Sequence, residues 1–272
     1  MAGKPSLRDA LRVRAGPEFR LEDHDPADFH GWDKQDAKDQ TEKERERLSD
    51  LQDRLWAEAK HAVLVVLQGI DASGKDGAIR RVMTAFNPQG CQVSSFKVPT
   101  AEEQAHDFLW RVHKRVPGKG EIGVFNRSHY EEVLVVRVHE LVPRDVWSGR
   151  YDLINDFEEL LTDTGTTIVK FFLHISSEEQ RERLQERYDN PEKRWKFSMG
   201  DLDERARWDD YTAAYQDALA KTSTADAPWY VIPSNRNWFR DLAIASILAD
   251  TIADLKPDYP APTDLPKSLT VE

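Results

Sequence analysis

A chain of 272 residues is long enough to bury a full core, as one large domain or one domain with an inserted element, and its 49 acidic against 38 basic side chains leave a formal net charge of −11. That balance argues against general nucleic-acid binding, whose affinity comes largely from Lys and Arg neutralising phosphates, but it leaves room for a local basic channel. Cys91 is the only cysteine, so no internal disulfide can form; the opening MAGKPSLRDALRVRAGPEF has no apolar signal core, and the longest apolar run, Ala62 to Leu67, is far short of the roughly 20 residues a membrane span needs. These features predict a soluble cytoplasmic protein that spans no membrane.

Residues 1–35 are rich in Asp, Pro, Arg and His without a clear period and read as an arm, extended on the surface or partly disordered. From Asp36 to Lys60, Leu48, Leu51, Leu55, Trp56 and Ala59 follow helical spacing, which predicts an amphipathic helix leading into the core. Alternating units follow: a strand from Val63 to Gln68, a helix from Lys75 to Phe86, a strand from Gln92 to Val98 and a helix from Ala101 to Val116. The pattern continues with a strand from Glu121 to Phe125, helices over Tyr130 to His139 and Val146 to Asp163, and a strand from Thr167 to Ile175. A charged helical segment runs from Glu178 to about Tyr215; Trp229 to Ile232 is the last strand and Trp238 to Leu255 the closing helix. Strands separated by helices predict an α/β fold with a parallel sheet, because parallel neighbours need a crossover between them. The Pro-rich stretch 257–272 reads as a loosely held tail.

The segment Gly69 to Lys75 has the G-x-x-x-x-G-K spacing of a phosphate-binding (Walker A) loop, between an apolar strand and a helix as that motif requires. Glycines at 69 and 74 let backbone N–H groups of Ala72, Ser73 and their neighbours converge on an anion, the helix beginning at Lys75 presents its positive end, and Lys75 adds a cation. Asp76 stands where a Ser or Thr usually helps to hold magnesium. A carboxylate beside bound phosphate repels it unless a cation lies between them, so Asp71 is read as a magnesium ligand. Asp76 fits either that role or a simple charge at a helix N-terminus. Basic residues recur in two clusters, one including Lys97 and Arg127, the other Arg181, Arg183, Arg187, Lys193, Arg194 and Lys196; interleaved Glu182, Glu186 and Glu192 also suit a solvated helix face for the second.

Three motifs in order, GIDASGKDG (Gly69–Gly77), FNRSHYEEV (Phe125–Val133) and NPEKRWKFS (Asn190–Ser198), followed by Trp208 and Tyr211, resemble those of the family-2 polyphosphate kinases. The resemblance spans about Trp32 to Asp254. It implies a thymidylate-kinase-like P-loop fold, a three-layer α/β/α sandwich over 36–256 with a helical lid at about 178–215. It further implies transfer of the terminal phosphoryl group of inorganic polyphosphate to AMP and ADP, forming ADP and ATP, reversibly and with Mg²⁺. Many members carry Asp where this chain has Asn126; Asn126 with His129 looks like the class III branch, which phosphorylates both acceptors.

By position, the resemblance makes Asp71, Lys75 and Arg127 the catalytic residues. It gives phosphate and polyphosphate binding to Gly69, Ala72, Ser73, Gly74, Lys75, Asp76, Gly77, Lys97, Arg181, Lys193 and Lys196. Asn126, Arg127 and Glu131 fall to the nucleotide, and Glu131 joins Asp71 at the metal because Asn126 is neutral. A homo-oligomer, dimer or tetramer, is also implied.

The acceptor chemistry agrees with this assignment. A nucleotide's terminal phosphate, with a last pKa of about 6, is already ionised and needs no general base; what opposes reaction is the meeting of two polyanions. An ATP-dependent kinase of a small metabolite would share the loop, metal and lid, and a non-catalytic polyphosphate or nucleotide sensor would keep only the binding. His129 reads equally as a nucleotide contact or a core-edge residue. Trp195, Trp208 and Tyr211 read more simply as lid packing than as a base platform. His61, His106, His113, His139 and His174 lack the spacing of a zinc site.

Overall fold

The structure, a computed structural model, describes residues 6–262. The chain order is α1 (Leu7–Leu11), α2 (Lys34–Glu58), β1 (Ala62–Gln68), α3 (Lys75–Val82), β2 (Cys91–Ser95), α4 (Ala101–Gln104), α5 (Trp110–His113) and β3 (Ile122–Asn126). It continues through α6 (Val135–Val138), α7 (Arg144–Asp163), β4 (Thr166–His174), α8 (Ser177–Asp189), α9 (Gly200–Ala206), α10 (Trp208–Thr222), β5 (Trp229–Pro233) and α11 (Asn237–Asp254).

The five strands form one parallel sheet in the order β2-β3-β1-β4-β5, with Val63 opposite Ile122 on one side of β1 and opposite Thr167 on the other. β1 is buried along its whole length, which explains its unbroken AVLVVL run: a central parallel strand is covered on both faces. One face packs α2, α3 and α11 through Leu48, Leu55, Val82, Phe239, Leu242 and Ile247. The other packs α7 and α10 through Ile154, Phe157, Leu161, Ala214, Ala218 and Leu219. The parallel sheet is the one expected from the alternating pattern, and its two helical layers make the three-layer α/β/α arrangement that the resemblance implies.

The N-terminal arm is more ordered than its composition suggests. Ser6 caps α1, Leu7 and Leu11 enter the first core, and Val13, Phe19 and Leu21 enter the second. Arg12 forms an antiparallel bridge to Tyr230, so the arm seals the β5 edge of the sheet. Leu7, Leu11, Val13, Phe19 and Leu21, with the partly buried Trp32, anchor the arm, and their irregular spacing leaves no periodic signal.

Four of the predicted helical segments are broken. The stretch 101–116 contains only α4 and α5, because the Asp107 carboxylate accepts from the Leu109 N–H and holds a turn between them. The stretch 130–139 opens with a 3₁₀ turn, His129–Glu132, after the Ser128 hydroxyl accepts the Tyr130 N–H, and becomes α-helical only at α6. The predicted helix from Lys75 likewise ends at Val82 and passes into a 3₁₀ turn, Met83–Ala85. The charged segment divides into α8, α9 and α10; α8 stops at Asn190, which is extended ahead of Pro191. The part of the predicted tail at 263–272 lies outside the described residues.

Candidate active site

The chain leaves β1 at Gln68 and β3 at Asn126, adjacent strands whose carboxyl ends open on the same edge of the sheet. The connection after β1 crosses to β2 and returns to β3, so the crevice lies at the place where ligands bind in open α/β sheets. Residues 69–74 form the turn between β1 and α3. Gly74 adopts φ 103°, and a Cβ there would lie 2.1 Å from Arg240 Nη1. A Cβ at Gly69 would lie 2.6 Å from Ser73 Oγ and 2.8 Å from the Leu173 carbonyl. Gly69 therefore demands glycine for space, because the Leu173 carbonyl belongs to the backbone, and Gly74 demands it for conformation.

Lys75 is buried, not projecting from an exposed loop; its Nζ donates to the carbonyls of Gly69 (2.6 Å) and Ile70 (3.4 Å). Burial lowers its pKa to about 8, and the Arg127 charge adds to that while Asp71, Glu131 and Asp76 oppose it. Gly69 N–H donates to the Tyr215 hydroxyl at 3.1 Å. Ser73 Oγ is buried without a partner.

Arg127 follows β3 with a left-handed φ of 62°, a conformation that costs a non-glycine residue about 1–3 kcal/mol. Its guanidinium pairs with Asp71 and lies 3.5 Å from Glu131, so the two carboxylates share one cation at the mouth of the loop. Burial opposes the Arg127 charge, but Glu131 and Asp71 outweigh it and raise its pKa. Asn126 Nδ2 donates to Asp76 Oδ1 at 3.0 Å, and Lys196 Nζ from the lid lies 3.7 Å from Asp76 Oδ2. The three motifs separated in sequence thus meet at Asp71, Asp76, Asn126, Arg127, Glu131 and Lys196.

The oxygen donors fit magnesium. Asp71 and Glu131 converge on one cation, yet no group of three or more His, Cys, Asp or Glu side chains among the described residues is arranged to enclose a metal. Two carboxylates are donors of the type a hard divalent cation takes, with water and phosphate oxygens to complete its shell.

Other predicted residues are not drawn in. Lys193 pairs with Glu186 at 2.6 Å and Arg181 with Glu178, both on the exposed side of the lid. Lys97 is exposed on the segment after β2, where its carbonyl accepts from Arg111 Nη1 at 2.7 Å. Within the lid, Tyr211 is buried and donates to Glu204 at 2.6 Å, whereas Trp195 is 77% exposed.

His129 belongs to the interior: it is buried 3.2 Å from Glu158 Oε1. Glu158 also accepts from the Tyr130 hydroxyl at 2.9 Å and pairs with the buried Lys170, which in turn donates to the Thr222 carbonyl at 2.7 Å. This network lies beneath the FNRSHYEEV turn.

Sequence reasoning missed Tyr215 and Gln180 and named Arg183 only as one member of the second basic cluster. Gln180 Nε2 donates to the Asp71 carbonyl, and Arg183 Nη1 to the carbonyls of Ala72 and Ser73. Their three-residue spacing on a predicted helix was the only available signal, and in so charged a segment it does not stand out. A cavity of about 810 Å³ lies between the arm and α10 and contains none of these residues. The residues at the mouth of the loop are instead charged and partly exposed.

Residues 31–260 match the model of the polyphosphate kinase 2 family. An AMP/ADP-polyphosphate phosphotransferase of Meiothermus ruber is 54% identical over 263 residues, covering 96% of this chain and 98% of that protein. An ADP-polyphosphate phosphotransferase of Rhodopseudomonas palustris is 51% identical over 230 residues, 80% of each chain. The crystal structure of polyphosphate kinase 2 from Arthrobacter aurescens superimposes with a TM-score of 0.93 at 45% identity, covering 97% of this chain and 95% of that one. With the family's model matched from before α2 to beyond α11, the chain belongs to the polyphosphate kinase 2 family.

Proposed function

We propose that the protein transfers the terminal phosphoryl group of inorganic polyphosphate to AMP and to ADP, forming ADP and ATP, with magnesium as its metal. The observation that carries this reading is the meeting of the phosphate loop, the Arg127 turn and Lys196 of the lid in one crevice. The names of the relatives support the same substrates.

In this mechanism the loop N–H groups and Lys75 bind donor phosphates, and Lys75 neutralises charge on them. Arg127, now shared by Asp71 and Glu131, is placed to neutralise the transferring group at the mouth of the loop. Asp71 and Glu131 would hold Mg²⁺, which when bound supplies charge neutralisation on the phosphate oxygens. Asn126 keeps the strand end neutral and orients Asp76 through its hydrogen bond. Lys196 brings a cation from the lid to the same place, and Ala72, Ser73, Gly74, Asp76 and Gly77 complete the cradle. Arg181, Lys193 and Lys97, exposed around it, would meet the chain beyond the reacting phosphate. No side chain is required as a base, because the acceptor phosphate is already ionised near neutral pH.

The same reading places the enzyme in the cytoplasm as a homo-oligomer, a dimer or tetramer, with no nucleic-acid or membrane partner. No helix among the described residues is long and apolar enough to cross a membrane. The decisive assay is incubation with polyphosphate, magnesium and AMP alone: ADP should appear first and ATP after it. Absence of both products, with transfer restored only by ATP and another acceptor, would replace this function with that of an ATP-dependent kinase.

A further inference from the structure

Every carbonyl from Gly69 to Ser73 has a donor directed at it. Lys75 Nζ donates to Gly69 and Ile70, and Ser73 N–H also donates to Ile70 at 3.0 Å. The next three carbonyls are held from outside the loop, by α8. Gln180 Nε2 reaches Asp71 O at 2.9 Å, and Arg183 Nη1 reaches Ala72 O at 3.0 Å and Ser73 O at 3.1 Å.

In a trans peptide the C=O and the following N–H point in opposite directions. Holding the carbonyls of 71, 72 and 73 against α8 therefore turns the following N–H groups the other way: those of 72 and 74 are left for an anion, while that of Ser73 closes the turn onto Ile70 O. Left to itself, a short loop with a left-handed Ala72 (φ 64°) and Gly74 has several alternative peptide orientations.

We infer that Gln180 and Arg183 are positioning residues that preset the peptide planes of the phosphate loop for the polyphosphate donor. This rests on the phosphate-loop reading of the site and deepens it. Arg183 anchors the arrangement further: its Nε donates to Glu179 at 2.8 Å and its Nη2 to Ser234 O at 2.5 Å, at the end of β5. Gln180 is fixed in turn by Arg205, whose Nη1 donates to its Oε1 at 2.8 Å. Since α8 is the first helix of the lid segment, these hydrogen bonds join lid and loop directly. A planar guanidinium can serve these separate carbonyls from one fixed fork; a lysine ammonium at the end of a flexible stem cannot, although its charge is the same.

Two variants test this. Arg183→Lys keeps the charge and loses the fork. Gln180→Glu keeps an acceptor for Arg205, whose positive charge offsets the added carboxylate, and loses the donor to Asp71 O. Tripolyphosphate binding is measured by calorimetry, and steady-state KM is measured separately for polyphosphate and AMP. Each variant should bind tripolyphosphate about tenfold or more weakly and raise the polyphosphate KM to match, with the AMP KM held within about twofold. Unchanged tripolyphosphate affinity in both variants overturns the inference. So does an equal loss of affinity for donor and acceptor together with a lower melting temperature, since that is general structural damage. Lys75→Ala, run alongside, separates the two levels: if it binds tripolyphosphate like the unmodified enzyme, the loop is not the phosphate site and the inference falls with that reading. Should Arg183→Lys fail to fold, Gln180→Glu decides alone.

Discussion

Lys75 should make donor capture fall with rising pH in a range where most kinases keep a charged lysine. Its pKa is lowered from an ordinary 10.5 to about 8, first by burial and then by the neighbouring Arg127 charge. That displacement is worth on the order of 3 kcal/mol against the charged form. At pH 9 only about one-tenth of the free enzyme would carry the protonated lysine. Because kcat/KM reports free enzyme, kcat/KM for polyphosphate should be level to near pH 8 and then drop about tenfold per pH unit.

The acceptor does not confuse this reading, since the last phosphate ionisation of AMP is complete well below pH 8. Nor does the thiol of Cys91, whose pKa burial pushes up to about 11. Stability should move the opposite way: the unfolded chain holds the lysine proton up to about 10.5 and the folded chain only to about 8, so this group's contribution rises between those values. The assay is a pH series of kcat/KM with a constant excess of free magnesium, repeated on Arg127→Met. Removing that neighbouring charge should shift the break to higher pH even though the rate is far lower. A profile flat from pH 7 to 10, or a break unmoved by Arg127→Met, would refute the reasoning.

Three other outcomes follow from the same geometry. Lys75→Met should lower activity by at least about a hundredfold while leaving the urea midpoint equal or higher, because it removes a buried, poorly solvated charge; a large loss of stability would contradict this. Lys170→Met should destabilise the fold by about 3–5 kcal/mol in urea unfolding, since it strands Glu158 and its hydrogen bonds beneath the Arg127 turn; a loss under about 1 kcal/mol would mean that the network relaxes freely. Asn126→Asp should replace a hydrogen bond to Asp76 with a pair of facing carboxylates and so strengthen the demand for a divalent cation. A magnesium titration and parallel AMP and ADP rates measure it: ADP, with one more phosphate, should lose more at low magnesium, and an unchanged ratio and titration would remove Asn126 from acceptor choice.

The layered fold was legible because its signals are local and repeated. β1, β3, β4 and β5 are apolar runs buried on both faces, and α2, α7 and α11 are long enough for their periodic stripes to dominate. Shorter elements were misjudged where a single polar contact overrides pattern, as Asp107 does between α4 and α5 and Ser128 does ahead of the His129 turn. The anchoring of the arm was illegible for another reason. Its stability comes from long-range burial of Leu7, Leu11, Val13, Phe19 and Leu21, and nothing within the first 35 residues can report that.

At the site, the residues that touch phosphate are legible and those that shape the loop are not. Gly69, Gly74 and Lys75 announce themselves because the motif needs their types at fixed spacing within one turn. Gln180, Arg183 and Tyr215 act from more than 100 residues away on backbone atoms, and a backbone carbonyl is the same at every position. A side chain chosen to bind a carbonyl therefore leaves no partner residue to match. The lid's charges illustrate the same point from the other side: Lys193 and Lys196 are equivalent in sequence, yet one is held by Glu186 and the other approaches Asp76 at the loop. Both follow the break at Asn190 and Pro191, but Lys193 falls back onto α8 through Glu186, whereas Lys196 closes the 3₁₀ turn Arg194–Lys196 and comes to Asp76 in the first turn of α3.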